Sequence, residues 1–199
     1  KSARLSPVLR LAPKAIAAGA HLPPVSDVEL QRLRETNGRY SVARKRLAVG
    51  IERAVATGME GSTVDRWTPV AGGFAAQGSL TSPGADAMRV AIDLATVPAD
   101  VEMVFFGSDA PEVMVGPVKV GDVKDRTVPW WGPITDGETQ TVEFFTPGRA
   151  GALPIRLTAA SHVFTTVASG FTKRSQDIGD AGSCNVDIKC SSLQTSPAF

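Results

Sequence analysis

The chain has 199 residues, of which 43% are hydrophobic, so it can bury a core and its length suggests one domain, or one domain with arms. Its 21 basic and 20 acidic residues leave a net charge of +1, which offers no strong field to nucleic acid or to an anionic membrane surface. An apolar run of about 18 residues, the length of a membrane-spanning helix, does not occur in the sequence.

Residues 1–41 are predicted to form an N-terminal arm and a short helix. Four prolines interrupt the short apolar runs of the arm, which is typical of a segment that gains structure by lying on another part of the protein. Ser26 and Glu29 have the spacing of a capping box, in which each side chain binds a free backbone N–H at the start of a helix. We therefore expect a helix over residues 27–35, ended by the Asn-Gly pair at 37–38.

Residues 42–168 are predicted to form a mainly β domain, an antiparallel, jelly-roll-like sandwich. Apolar side chains alternate with polar or small ones in three segments, which indicates half-buried strands. With further short strands and turn residues between them, the pattern gives roughly seven to nine strands. The connection at 95–100 has the length of a hairpin loop. Strands are expected within residues 45–51, 67–79, 88–94, 101–106, 113–115, 118–120, 141–145 and 153–157.

Trp130 and Trp131 are the candidate interface aromatics. Two adjacent indoles at a turn beside the sheet bury a large area. We expect them to pack into the core first, to form a partner interface second, and to offer a stacking surface for sugars third.

After Gly170 the sequence becomes polar and contains the dibasic pair Lys173 and Arg174. Exposed polar links of this kind are where proteases cut. We expect residues 169–178 to form a processing linker, although an ordinary linker has the same composition. The candidate residues of this processing link are Lys173, Arg174, Ile178 and Gly179.

Both cysteines of the chain, Cys184 and Cys190, follow this link and are separated by five residues. That spacing differs from the Cys-x-x-Cys pairs that bind zinc or exchange disulfides. A bridge between the two is possible if the chain turns back on itself. The residues between them alternate like a strand, however, and an extended strand would hold the sulfurs too far apart. We therefore favour pairing of each cysteine with a cysteine outside this chain.

The segment Gly-Ser-Cys-Asn-Val-Asp-Ile-Lys-Cys, residues 182–190, resembles the start of the mature domain in secreted bacterial trypsin-like endopeptidases of the lysyl endopeptidase type. The resemblance rests on the Ser-Cys-Asn-x-Asp core and the position of the second cysteine. It implies that residues 179–199 begin a trypsin-like β-barrel protease domain and that the residues before them are its pro-region. It also implies that Cys184 and Cys190 form disulfides with positions far downstream in that domain.

A weaker resemblance covers residues 130–143, where an aromatic-x-Pro turn precedes acidic and glycine residues and a strand, as in the pro-regions of these peptidases. This pattern implies a structural role. The segment ending at His162 is similar to the Thr-Ala-Ala-His-Cys segment of trypsin-like enzymes, but it has an extra serine and lacks the cysteine. We expect His162 to lie at a strand end without a catalytic role.

These features favour a non-catalytic pro-region, a folding assistant and inhibitor, of a secreted or periplasmic serine endopeptidase. The chain alone lacks a catalytic triad, so its expected partner is the cognate serine protease domain, in a second chain or in a continuation of this one. We expect no cofactor, no metal site, and neither a nucleic-acid nor a membrane partner. The alternative is a secreted β-sandwich that binds carbohydrate or protein.

Overall fold

The computed structural model describes residues 8–11, 19–41, 48–148 and 153–165. They belong to the first of the two units into which the chain divides, Lys1–Ala168. In this unit two β-sheets enclose a core and one α-helix lies beside them, so the predicted mainly β sandwich is confirmed. The predicted processing linker and protease start lie outside the described residues.

The described elements follow one another in chain order. The helix α1 spans Asp27–Ser41, and a short 3-10 turn spans Val120–Asp122. The strands are β1 (Ala20–His21), β2 (Gly50–Ala54), β3 (Thr63–Val64), β4 (Thr68–Val70), β5 (Gly73–Thr81), β6 (Ala87–Asp93), β7 (Glu102–Gly107), β8 (Val115–Lys119), β9 (Trp130–Trp131), β10 (Thr135–Asp136), β11 (Thr139–Thr146) and β12 (Ile155–Val163).

Each sheet is built around a strand that comes late in the sequence. The first sheet has the order β1-β5-β11-β7-β8, with β4 also paired to β5. Its pairs are antiparallel except for β1 with β5. The second sheet has the order β10-β6-β12-β2, with β3 paired to β12 and β9 to β6, and all its pairs are antiparallel. Strands β11 and β12 therefore each have neighbours on both sides.

Side chains from the inner faces of the two sheets form the core. Met88, Val90 and Ile92 of β6 are fully buried, as the predicted alternation of this strand requires. Phe105 of β7 and Phe144 of β11 face them from the first sheet and are also fully buried. Burial of these large side chains is the main stabilising contribution to the sandwich.

The helix is longer than predicted, because the Asn-Gly pair at 37–38 does not end it and it continues to Ser41. The Asn37 side chain has another role. Its Nδ2 donates to the carbonyl of Ala48 at 3.0 Å and its Oδ1 accepts from the N–H of Ala48 at 2.8 Å. Asn37 thus fixes the approach to β2, and the helix carries the cost of an internal glycine, about 1 kcal/mol.

Three strand predictions also differ from the structure. Strand β2 begins only at Gly50, and the two strands expected at 113–115 and 118–120 are the single strand β8. The connection at 95–100 is not a hairpin loop, since β6 lies in the second sheet and β7 in the first. A loop of this length can join two neighbouring strands of one sheet or two strands of different sheets, and the packing of the sheets decides between these arrangements.

The sheets approach each other closely where β7 ends. A Cβ placed on Gly107 would overlap the backbone carbonyl oxygen of Asp136 in β10. Because backbone cannot yield as a flexible side chain can, only glycine fits at this position.

Candidate functional site

The two candidate interface aromatics form the short strand β9 and pair with β6. Both are half-buried. Trp130 packs against the core, with its ring centroid 5.9 Å from that of Phe105. The guanidinium carbon of Arg89 lies 4.8 Å from the ring centroid of Trp131, close enough for a cation–π contact. Trp130 thus contributes to the core, and a partner interface at the pair stays a prediction.

The segment after β9 is fixed by a buried glutamine of the first sheet. Gln140 is fully buried, and its Oε1 accepts from the backbone N–H of Val90 at 2.8 Å. Its Nε2 lies 2.9 Å from both the carbonyl of Pro133 and the hydroxyl of Thr135. Gln140 therefore connects the two sheets where the turn between β9 and β10 leaves one edge of β6 without a paired strand, while the other edge stays paired with β12.

A serine and a histidine meet in the interior beside the second sheet. Nδ1 of His162, on β12, lies 2.9 Å from Oγ of Ser82. That oxygen also accepts a hydrogen bond from Nη1 of Arg53 at 2.9 Å. A hydroxyl has one proton and two acceptor lone pairs, so Ser82 can accept from Arg53 and at the same time either donate to Nδ1 or accept from it. Nε2 is buried without a hydrogen-bond partner.

This pair cannot act as a nucleophile and base. Ser82 is 0% exposed and His162 is 1% exposed, so a substrate has no access to either side chain. Burial lowers the pKa of His162, and the positive charge of Arg53 lowers it further. His162 is therefore a neutral, structural histidine next to the end of its strand.

Arg53 joins the buried pair to helix α1. Its Nε lies 3.5 Å from Oε1 of Glu29, and its side chain is 6% exposed. The predicted capping box is confirmed, because Glu29 Oε2 accepts from the N–H of Ser26 at 2.8 Å and Ser26 Oγ accepts from the N–H of Glu29 at 3.3 Å. The hydrogen bonds from Ser26 lower the pKa of Glu29, and Arg53 adds to the effect.

A buried carboxylate holds the N-terminal strap, which we define as residues Val8–Leu11. Glu143, in the middle of β11, accepts from the backbone N–H of Arg10 at 2.7 Å and from that of Leu11 at 3.0 Å. The guanidinium carbon of Arg10 lies 3.3 Å from the ring centroid of Phe145. Its Nη2 lies 3.1 Å from Oε2 of Glu102.

Sequence reasoning did not single out this contact, although Glu143 gives a signal. It stands among Val142, Phe144 and Phe145 in a strand whose residues are all buried. A carboxylate in such a strand needs hydrogen-bond donors, and nothing in the local sequence shows that they come from residue 10 and residue 11. The expected behaviour of the arm, to lie on another part of the protein, is observed for the strap.

The predicted junction residues lie outside the described ranges. The processing link and the external disulfides therefore stay predictions. The residues concerned are Lys173, Arg174, Ile178, Gly179, Cys184 and Cys190.

The described residues also bear on metals and membranes. They contain no group of three or more His, Cys, Asp or Glu side chains placed to hold a metal ion. Within the same ranges, no helix has the length and apolar character needed to cross a bilayer.

Comparison with known proteins agrees with the architecture. The family model of the lysyl endopeptidase N-terminal domain matches residues 21–164, which include the helix and every strand from β2 to β12. The chain belongs to this family. The chain is also 27% identical, over 160 residues, to the lysyl endopeptidase of Pseudomonas aeruginosa. The alignment covers 77% of the chain and 33% of that relative, so the matched part is about a third of the relative's length. No solved structure matches the chain significantly.

Proposed function

We propose that this domain is the pro-region of a secreted serine endopeptidase precursor, and that it assists the folding of the protease domain and blocks it until the link is cut. The observation that carries the proposal is the family match over residues 21–164, which coincides with the described sandwich. The lysyl endopeptidase that it resembles is about three times as long as the aligned part, which leaves room for a protease domain.

The side chains of the sandwich support a non-catalytic role. Among the described residues, Ser82 and His162 form a serine–histidine hydrogen bond, and both side chains are buried in the interior. A serine protease needs an accessible nucleophile and a preformed oxyanion site. In this proposal the peptidase activity belongs to the domain that begins near Gly179, within which Cys184 and Cys190 form disulfides to positions further downstream.

The folding role can be tested by expressing the protease domain from Gly179 onward with and without residues 1–178 supplied on a second gene. We expect soluble, active peptidase only when residues 1–178 are present, as measured by hydrolysis of a lysyl peptide substrate. The Gly107→Ala version of residues 1–178, whose sheets cannot approach normally, serves as the matched control and should fail to help. Equal activity without residues 1–178 would exclude the folding role.

The inhibitory role needs a separate measurement. The purified chain, titrated into mature protease, should reduce the rate of peptide hydrolysis in a saturable manner. If a large excess of the chain leaves the rate unchanged, inhibition is excluded whatever the result of the folding test. Peptide mapping of the precursor without reduction should place Cys184 and Cys190 in bridges to positions further downstream in the protease domain.

A further inference from the structure

The outer face of the first sheet presents a fixed group of side chains to the N-terminal strap. Glu143 lies directly opposite Gln77 of β5, and Phe145 lies opposite Glu102 of β7. Since residues opposite each other in a sheet share a face, all four side chains project to the same side. We call Gln77, Glu102, Glu143 and Phe145 the anchor site.

The anchor site needs donors from outside the sheet. Glu143 is 1% exposed, and a carboxylate buried to this extent is stable only when it is hydrogen-bonded. Within the sheet, Gln77 donates one hydrogen bond to it, from Nε2 at 3.0 Å. The other two described donors are the backbone N–H groups of Arg10 and Leu11, one to each carboxylate oxygen. Successive N–H groups at a bend form a concave site for an anion, and here that anion is a side chain of the same chain.

The anchor site also selects the side chain that accompanies this bend. Phe145 offers its ring face to the Arg10 guanidinium, and Glu102 accepts from the same group. A planar guanidinium can stack on a ring and pair with a carboxylate at once, whereas a lysine ammonium acts as a point charge. The anchor site therefore recognises an arginine when the backbone N–H of that arginine and the backbone N–H of the next residue are both free to donate.

We propose that the anchor site is a peptide-binding site for a bent, arginine-containing segment, and that the N-terminal strap is its built-in occupant. The same segment, carried by a separate molecule, binds there when the strap is displaced. Because the strap belongs to the same chain, its effective concentration at the site is high and it excludes a free peptide. This binding site goes beyond the pro-region role and does not depend on it.

The experiment uses the full chain and a fluorescent peptide with the sequence of residues 6–13. In the double variant Arg10→Ala, Leu11→Pro, the strap loses its guanidinium and one of its two N–H donors. We expect the peptide to bind this variant saturably in fluorescence anisotropy. Binding to the unaltered chain should be weaker by about tenfold or more, because its own strap occupies the anchor site most of the time.

Two controls test whether the peptide occupies the anchor site. Adding Glu143→Gln to the double variant should abolish binding, whereas adding Glu138→Gln, which removes a carboxylate bonded instead to the N–H of Gly84, should leave it unchanged. A peptide with alanine in place of its arginine should not bind. The proposal is overturned if the folded double variant fails to bind the peptide, if the alanine peptide binds equally, or if Glu143→Gln has no effect.

A second measurement on the unaltered chain keeps the proposal testable if the double variant does not fold. A separable occupant must leave its site without unfolding the sandwich, so the amides of Arg10 and Leu11 should exchange with solvent faster than those in the middle of β11. Native-state hydrogen exchange measures both. Exchange of the two strap amides only through global unfolding would show that the strap is an integral part of the sheet, and would contradict the proposal.

Discussion

His162 shows how one buried side chain makes this fold sensitive to acid. Its pKa is lowered in the folded protein by burial and by Arg53, while the charges of Asp86 and Glu29 act weakly in the opposite direction. The folded state therefore binds fewer protons at this residue than the unfolded state. Stability from the neutral imidazole is fully present above its ordinary pKa of 6.5 and is lost as the pH falls below it.

We expect the free energy of unfolding to fall between pH 7 and pH 5, with a slope of at most about 1.4 kcal/mol per pH unit from this one proton. The His162→Gln variant should lose this part of the slope, as measured by urea unfolding at a series of pH values. His21→Gln, which replaces the other, exposed histidine, is the control and should keep the slope. The same slope in His162→Gln and the unaltered chain would show that His162 is not the titrating group.

At the scale of single residues, some side-chain contacts were predictable from the sequence and others were not. The capping pair Ser26 and Glu29 was predictable because its two members are three positions apart and their bonds are local. The partners of Glu143 were not, since they lie 133 and 132 positions away in the chain. A buried carboxylate indicates that hydrogen-bond donors lie nearby, but its sequence neighbours do not indicate which residues supply them.

At the scale of elements, Glu29 attaches helix α1 to the sandwich. This carboxylate completes the capping box and also pairs with Arg53, which is buried against the second sheet. Removing it would leave a buried guanidinium without its ion-pair partner and the N–H of Ser26 without its capping-box acceptor.

We therefore expect Glu29→Ala to lower the free energy of unfolding by about 1–2 kcal/mol, as for the loss of other helix caps. Glu35→Ala is the matched control, because Glu35 lies on the same helix, is exposed, and accepts a hydrogen bond from Gln31 at 3.1 Å. The control should change stability by less than about 0.5 kcal/mol. Chemical unfolding followed by circular dichroism compares the two variants, and equal effects would contradict the proposed role of Glu29.

The existence of most elements followed from local pattern, whereas their ends did not. The alternation in β6 is a property of seven consecutive residues and was read correctly. The end of α1 depends on Asn37 meeting Ala48, and the single strand β8 depends on its pairing with β7. Such boundaries are set by tertiary contacts that outweigh local turn propensity.

At the scale of the whole molecule, Gln140 joins the two sheets through polar contacts in the interior. It binds the N–H of Val90 in β6 and reaches the segment that carries Pro133 and Thr135. Its loss would leave several interior groups without partners, each of which costs about 1–3 kcal/mol when buried.

We expect Gln140→Leu, which keeps most of the volume, to lower the free energy of unfolding by about 2–4 kcal/mol. Gln31→Leu, on the exposed surface of α1, is the control and should have little effect. Urea unfolding measured by tryptophan fluorescence is suitable, because Trp130 lies in the affected segment. Stability equal to that of the unaltered chain would mean that the apolar side chain replaces the network without loss.

The order of strands within the sheets could not be predicted from the sequence. Thr139 pairs with Thr81, and Ala160 pairs with both Val90 and Arg53, so the registers join segments that are far apart in the chain. Sequence periodicity indicates which face of a strand is buried, but not which other strand it meets.

The late position of β11 and β12 in the chain has a consequence for synthesis from the N-terminus. Among the described strands, β11 lies between β5 and β7, and β12 lies between β6 and β2. A nascent chain that has not yet reached Val163 therefore lacks the middle of one or both sheets and cannot close its core. The sandwich can therefore close only after nearly all of its residues have been made.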